Sequence, residues 1–293
     1  MIRGVTAVLF AALLTAVAAP AALANEAHHD AWRVVDKITV SAAVGGEGVA
    51  TVRLPGQPVQ VYYTAGNTIP ANLKAEGWGH IGDSDSLHGY VFDPYQQTTA
   101  TITQKMMLVT TPTGEKYEYT HTLGADEVVP NANAYTAVTP DGQWLVSSEL
   151  AQVDRLLVFP APILNKALPA GGGALPLAAK VLLDKPVRNL QGCDFVTATR
   201  LICASDDSNN DLYPTSKPLL QIDLQHQLRG KDVRAHVTSL GSCRWPAPAS
   251  ARTPPRASTT TPRPVTCGSR CCRRARATPT SPCTPTDAES PRP

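Results

Sequence analysis

Residues 25–241 are written as short apolar runs set apart by turn chemistry, and few stretches carry a helical period. The runs predict strands over residues 34–40, 49–54, 59–64, 90–92, 105–110, 116–120, 135–138, 144–147, 156–159, 180–183, 194–197, 201–204 and 219–224. Turns such as Pro55-Gly56, Pro112-Thr113-Gly114 and Pro140-Asp141-Gly142 separate them. One short helix is predicted around residues 70–77. The fold class expected from this spacing is all-β, as a sandwich, barrel or propeller.

An internal repeat favours the propeller. Each unit is a strand, a tight turn, a strand ending in small residues, a loop and a strand running outward. Copies begin at AYTAVTPDGQWLVSSEL and GCDFVTATRLICAS, with a looser one at GHIGDSDSLHGYVFDPY, and their turns centre near Asp85, Asp141 and Ala198. The stretch from Thr139 to Ser148, TPDGQWLVSS, resembles the blade hairpin of TolB-like and YVTN-type β-propellers. In that family Pro-Asp-Gly turns between the two middle strands and the aromatic packs between blades. The resemblance implies a β-propeller of about five blades and carries no shared catalytic set. A β-sandwich is the alternative.

Residues 1–24 read as a secretory signal, with Arg3 in the n-region, an apolar stretch over residues 5–19, and Ala22-Leu23-Ala24 before Asn25. The expected location is secreted, with no membrane span after cleavage. The formal charge of +2 joins two unlike parts: residues 25–241 carry 16 basic and 22 acidic side chains, whereas residues 242–293 carry nine Arg against Asp287 and Glu289. That final stretch also holds 11 of the 26 Pro and 5 of the 7 Cys, with Trp245 as its sole aromatic. Such a composition builds no core. It lacks the aromatic interleaving of a stacking surface, so no nucleic acid is expected as a partner.

The change at Gly241 reads as a shifted reading frame, the alternative being a genuine low-complexity basic tail. Joining each codon's third base to the next two permits EGIDYDAATGDLRVEV followed by VTVYTY, with alternating strands and a turn. Trp245 followed by Pro246 then forces Ala, and Cys271 followed by Cys272 forces Leu. The domains are therefore a signal over residues 1–24, an incomplete propeller-like domain over 25–241, and a disordered tail over 242–293.

Residues 25–241 hold two cysteines, Cys193 and Cys203, which flank DFVTATRLI. With Thr197-Ala198-Thr199 as a hairpin turn they face each other across two strands, and a disulfide is expected, two buried thiols being the alternative. Cys267, Cys271, Cys272 and Cys283 match no zinc pattern.

Three constellations carry chemistry. Gly82-Asp83-Ser84 resembles the nucleophile block of SGNH esterases, and Asn210-Asp211 with Asp223-Leu-Gln-His226 its later blocks. The order fits a Ser84, Asp223, His226 triad. The context does not, because no buried parallel strand leads into a helix at the serine. Asp207, Asn209 and Asp211 keep the alternate spacing of a calcium loop, although Leu212 and Pro218 stand where an EF-hand needs Gly and Glu. Repeat position brings His80, Asp83 and Asp194 to a channel mouth, where carboxylates hold a metal or serve as acid and base. His28 and His29 read as a solvated start of the mature chain. The function expected is a monomeric binding or scaffold protein for an unknown extracellular ligand. The alternative is an extracellular hydrolase, either a channel lactonase or glycosidase or an SGNH-like esterase.

Resequencing the codons for Leu240 to Ser242 from independent DNA is expected to reveal a one-base or two-base change; an unchanged sequence means that the basic tail is genuine.

Overall fold

The computed structural model describes Ile38, Val40, Ser41 and residues 43–127 and 135–242, all of which fall in one compact unit. The signal, His28 and His29, most of the predicted strand 34–40, and the tail beyond Ser242 with its five cysteines lie outside the described residues.

The elements are β1 (Gly48–Val52), β2 (Gln60–Thr64), α1 (Ala71–Ala75), β3 (Trp78–Ile81), β4 (Asp85–Leu87), β5 (Tyr90–Gln97), β6 (Gln104–Thr110), β7 (Lys116–Thr122), β8 (Ala137–Val138), β9 (Trp144–Ser147), β10 (Gln152–Pro160), β11 (Gly173–Ala174), β12 (Ala179–Arg188), β13 (Leu190–Thr197), β14 (Arg200–Ser205), β15 (Pro218–Leu224) and β16 (Val233–Ser242). The all-β expectation holds, and α1 stands where the short helix was predicted.

Three antiparallel meanders follow one another along the chain: β4-β5-β6-β7, β8-β9-β10-β12 and β13-β14-β15-β16. In the first, β3 pairs with the far half of β5, and β11 adds parallel to β7. The second and third join through a short parallel seam, with Val181, Leu182 and Leu183 opposite Val233, Arg234 and Ala235. The resulting sheet has eight strands. Its end strands β8 and β13 come back against each other, so it is barrel-like and nearly closed. β1 and β2 form a separate hairpin.

Alternation within the strands sends side chains to different cores. In β6, Met106 and Leu108 join Trp78, Ile81, Tyr95 and Leu73 of α1, while Met107 and Val109 turn to a second core with Phe92, Tyr119, Leu145, Leu157 and Phe159. In β10, Leu157 and Phe159 enter that second core, and Leu156 and Val158 enter a third with Val146, Phe195, Leu201, Leu220 and Val237. Layers therefore stack as core, first meander, core, second meander, core, third meander. A strand buried on both sides reads as an unbroken apolar run, as KMMLV and LLVF do.

Local chemistry fixes the turns. In the TPDGQW hairpin, Gly142 takes φ +69°, Thr139 Oγ1 donates to Asp141 Oδ1 at 2.6 Å, and the Thr139 N–H donates to the Trp144 carbonyl at 2.9 Å. The Trp144 ring lies so close to Gly230, in the β15–β16 connection, that an added Cβ there would fall 2.5 Å from Cη2. Pro94 sits inside β5 without breaking it. Its carbonyl accepts from Gly82 N–H at 2.9 Å, so its missing N–H points at the gap between β3 and β4, where no carbonyl is left waiting.

One turn position is corrected, and the turn expected near Ala198 is found there. The first repeat turns at His88-Gly89, with φ of 53° and 83°, and not near Asp85. Asp85 lies in β4, where its carboxylate accepts the Val138 N–H at 2.7 Å and the Ser86 N–H at 2.6 Å. In the third repeat Thr197 pairs with Arg200, so the loop is Ala198-Thr199 with a shift in register behind it.

Cys193 and Cys203 lie directly opposite in β13 and β14 and form the expected disulfide. The bridge closes a short loop, and its removal by Cys193→Ala with Cys203→Ala is expected to cost on the order of 2–3 kcal/mol, read from urea unfolding. An unchanged midpoint would mean that the β13–β14 ladder holds without it.

Candidate functional site

The chain enters the first meander through Gly82-Asp83-Ser84-Asp85-Ser86, and nearly every polar group there is buried and bonded. The Asp83 carboxylate accepts the Val49 N–H at 2.8 Å, Ser86 Oγ donates to the Thr51 carbonyl, and Thr64 Oγ1 donates to the Gly82 carbonyl at 2.8 Å. These bonds seal the β1–β2 hairpin onto β4: side chains of Asp83 and Ser86 satisfy the outer edge of β1, as a neighbouring strand would. Asp83 also forms an isolated parallel bridge with Tyr135, and its carbonyl accepts the Thr136 N–H at 3.0 Å. The residues leading into β4 and β8 are thus tied side by side.

Asp93 of β5 faces the same hairpin. Its carboxylate accepts from Ser84 Oγ at 2.5 Å and from the Tyr62 hydroxyl at 3.1 Å. Burial pushes this carboxyl up to about 6, against the opposing pull of the Ser84 and Tyr62 hydrogen bonds and of Lys116. Burial and the Asp93 charge push the Tyr62 hydroxyl far above its ordinary value, so it stays a donor. The arrangement can hold one proton at Asp93 near neutral pH. It presents no open face, since Asp83, Ser84 and Asp93 are each 2% exposed.

A second cluster joins the first and second meanders. Lys105 of β6, fully buried, places Nζ 3.4 Å from Glu127 Oε2 and over the Phe159 ring. His121 Nε2 lies 2.5 Å from Glu127 Oε1, its Nδ1 3.0 Å from the Leu175 carbonyl, and the Gly124 N–H donates to Glu127 at 2.9 Å. Burial alone would raise Glu127; His121, Lys105 and Gly124 outweigh it and hold the carboxyl down at about 2. Burial draws Lys105 below its ordinary value although Glu127 resists. Next door, Asp126 takes Arg155 at 2.9 Å and Lys180 at 2.6 Å, and Arg155 also bonds Glu149 at 2.6 Å. Adjacent residues of one loop thus grip both meanders, Glu127 the first and Asp126 the second.

The residues nominated from sequence are dispersed. Ser84 donates to Asp93; Asp223 takes Arg200 at 2.5 Å and Gln221 at 2.7 Å; His226 bonds the Gln227 carbonyl at 2.9 Å. No hydrogen bond joins the three. Asp207 and Asp211 both take Arg188, and Asp207 also accepts the Leu212 and Tyr213 N–H groups at 3.0 Å, leaving Asn209 exposed. A guanidinium stands where the spacing suggested calcium. Among the described residues no group of three or more His, Cys, Asp or Glu is placed to hold a metal. His80 of β3 lies 3.7 Å from Glu47, Asp83 stands beside Tyr135, and Asp194 is buried on β13 opposite Ile202. Lys105, His121, Glu127, Asp93 and Arg188 went unnoticed in the sequence. A charge inside an apolar run, as in QKMMLV or YVFDPY, is the signal that marks the first and fourth. Compared with known proteins, the chain matches no protein-family model and no curated protein.

The two buried carboxyls titrate in opposite senses. Asp93 binds its proton more tightly in the folded chain, so stability falls by about 3 kcal/mol as pH rises from about 4 to 6, and Asp93→Asn removes that fall. Glu127 binds its proton less tightly when folded, so its contribution is present above about pH 4.5 and is lost toward pH 2. Urea midpoints of the native chain, Asp93→Asn and Glu127→Gln from pH 3 to 8 separate the two; parallel curves would contradict both assignments.

Proposed function

We propose that the chain is a secreted, monomeric binding or scaffold protein of the β-propeller type, recognising an extracellular ligand with the loops that lead into its inner strands. One observation carries the reading: the three meanders stack face to face in chain order, with first strands side by side, β4 against β8 and β8 against β13. Blades of a propeller stand in this relation, and about five would complete the ring, although the second and third meanders here also hydrogen-bond through β12 and β16 into one nearly closed, barrel-like sheet. Trp144 reaching from the second meander to Gly230 of the third supports it, in keeping with the role of the aromatic in the TolB-like and YVTN-type hairpin. The disulfide and the leader-like residues 1–24 support export. Repeat position assigns His80, Asp83 and Asp194 to the ligand; Asp83 and Asp194 are buried, and His80 is the one with side-chain surface to offer. The hydrolase alternative gains no support from Ser84, whose proton goes to a buried carboxylate and not to His226.

The exported protein is expected to begin at Asn25, as read by amino-terminal sequencing, and to bind at least one member of a panel of soluble glycans and peptides saturably in calorimetry. His80→Ala is expected to weaken that binding by about tenfold. Steady turnover of p-nitrophenyl esters, lactones or aryl glycosides would replace the binding reading with the hydrolase one.

A further inference from the structure

We infer that the outward face of the third meander is an inter-layer surface built to receive one more sheet of the same repeat, and that the codons after Gly241 spell that sheet in the shifted frame. The inference rests on the propeller reading above and adds to it the place and the partner of the next layer.

Alternation separates the two faces of this meander. Cys193, Phe195, Leu201, Cys203, Leu220, Ile222, Ala235 and Val237 point into the core shared with the second meander. Their neighbours in sequence point the other way. In one row across the sheet these are Asp194, Ile202, Gln221 and Thr238. In the next are Ala204 and Leu219, paired between β14 and β15, with Leu240 on β16. Ile202, Ala204, Leu219 and Leu240 are all buried, yet none belongs to any of the three cores formed by the described residues. A last sheet facing water would alternate apolar with polar there. This one turns polar at the other end of the face, where Arg200 pairs with Asp223 and His236 with Asp184. Each earlier meander is apolar on both faces because a layer lies on each side, and the third has the same two-faced pattern.

The sequence offers one occupant. The first strands of the meanders begin at residues 85, 137 and 190, steps of 52 and 53, and in the shifted frame the next such strand, IDYD, would begin near position 258, a longer step of about 68. As printed, Trp245 and Val265 are the only large apolar side chains among them. In the shifted frame the same codons permit IDYD, a turn AATGD, LRVEV and then VTVYTY, matching the inner hairpin and third strand of the repeat. The connection from position 242 to that first strand would be 15 residues, against 14 between Thr122 and Ala137.

The test uses two full-length chains from the same DNA, one in the printed frame and one with the frame changed between the Gly241 and Ser242 codons, each with and without Ile202→Ser plus Leu219→Ser. Ile202→Val supplies a mild variant where the double one fails to fold. Urea unfolding is followed by circular dichroism. The shifted-frame chain is expected to unfold at a midpoint higher by on the order of 1 M, and the substitutions to lower its midpoint several times more than that of the printed chain. Equal midpoints, or equal losses in both chains, would overturn the fourth layer. So would a shifted-frame chain that fails to fold where the printed one folds. Such failure leaves the propeller reading standing, since that falls only if a determined structure shows β4, β8 and β13 not ranged about one axis.

Discussion

Two-sided burial governs this molecule. A four-stranded meander with both faces apolar is unstable alone in water, and each of the three meanders here buries apolar side chains against a neighbour. In β6 the consecutive residues Met106, Met107, Leu108 and Val109 are all buried, and they alternate between two cores. At roughly 1.5–3 kcal/mol for each such side chain, four consecutive positions supply a driving force that a one-faced strand of equal length would halve. The stacking also explains the disulfide's position. Cys193 and Cys203 point into the core between the second and third meanders, so the bridge stiffens the wall of a packed layer and not an exposed loop.

Polar groups then decide where layers meet and how far they slide. The parallel seam between β12 and β16 is only three residue pairs long, and it is held at both ends by side chains. Asp232 accepts the Lys180 N–H at 2.8 Å at one end, and Asp184 accepts the Val237 N–H at 2.8 Å at the other. Between the first and second meanders the Asp126-Glu127 pair does comparable work. Glu127 is committed to an imidazole and to a buried ammonium that stands 3.4 Å away without a hydrogen bond, a costly arrangement. Removing one partner strands the rest, whereas a slide of the sheets would break them all together. The buried charges therefore fix register, and the apolar faces supply the energy.

Legibility in the sequence followed the same division. Strands with β-branched or alternating apolar residues were visible, as was the cysteine pairing, because both depend on local period. β3 and β4 were missed, since GHIGDSDSL has almost no apolar pattern: its Asp and Ser side chains are buried by hydrogen bonds to β1, β5 and β8, which no local window contains. The turn placed near Asp85 erred for the same reason, an Asp that looked like a turn former being spent on the Val138 amide. β16 alternates strictly, with Val233, Ala235 and Val237 inward, and was readable by the rule that found the others. The oxygen-rich run Asp206–Asp211 had calcium-like spacing, but its organiser, Arg188, lies 19 residues before Asp207. Local spacing cannot distinguish a cation bound from solvent from one supplied by the chain.

This division bears on where function can reside. Asp83, Asp93, Glu127 and Asp207 each accept bonds that hold one segment to another. Their chemistry is spent on the fold, and a ligand would have to break a structural bond to recruit them. Carboxylates engaged in this way leave the ends of strands, where loops of neighbouring layers meet, as the places open to a ligand. The side-by-side entry into β4 and β8 is itself bonded, through the Asp83–Tyr135 bridge, and so belongs to the fold. On the binding reading proposed above, the strand ends left over are held in place by seams in which several buried pairs would have to be lost together before a layer could shift.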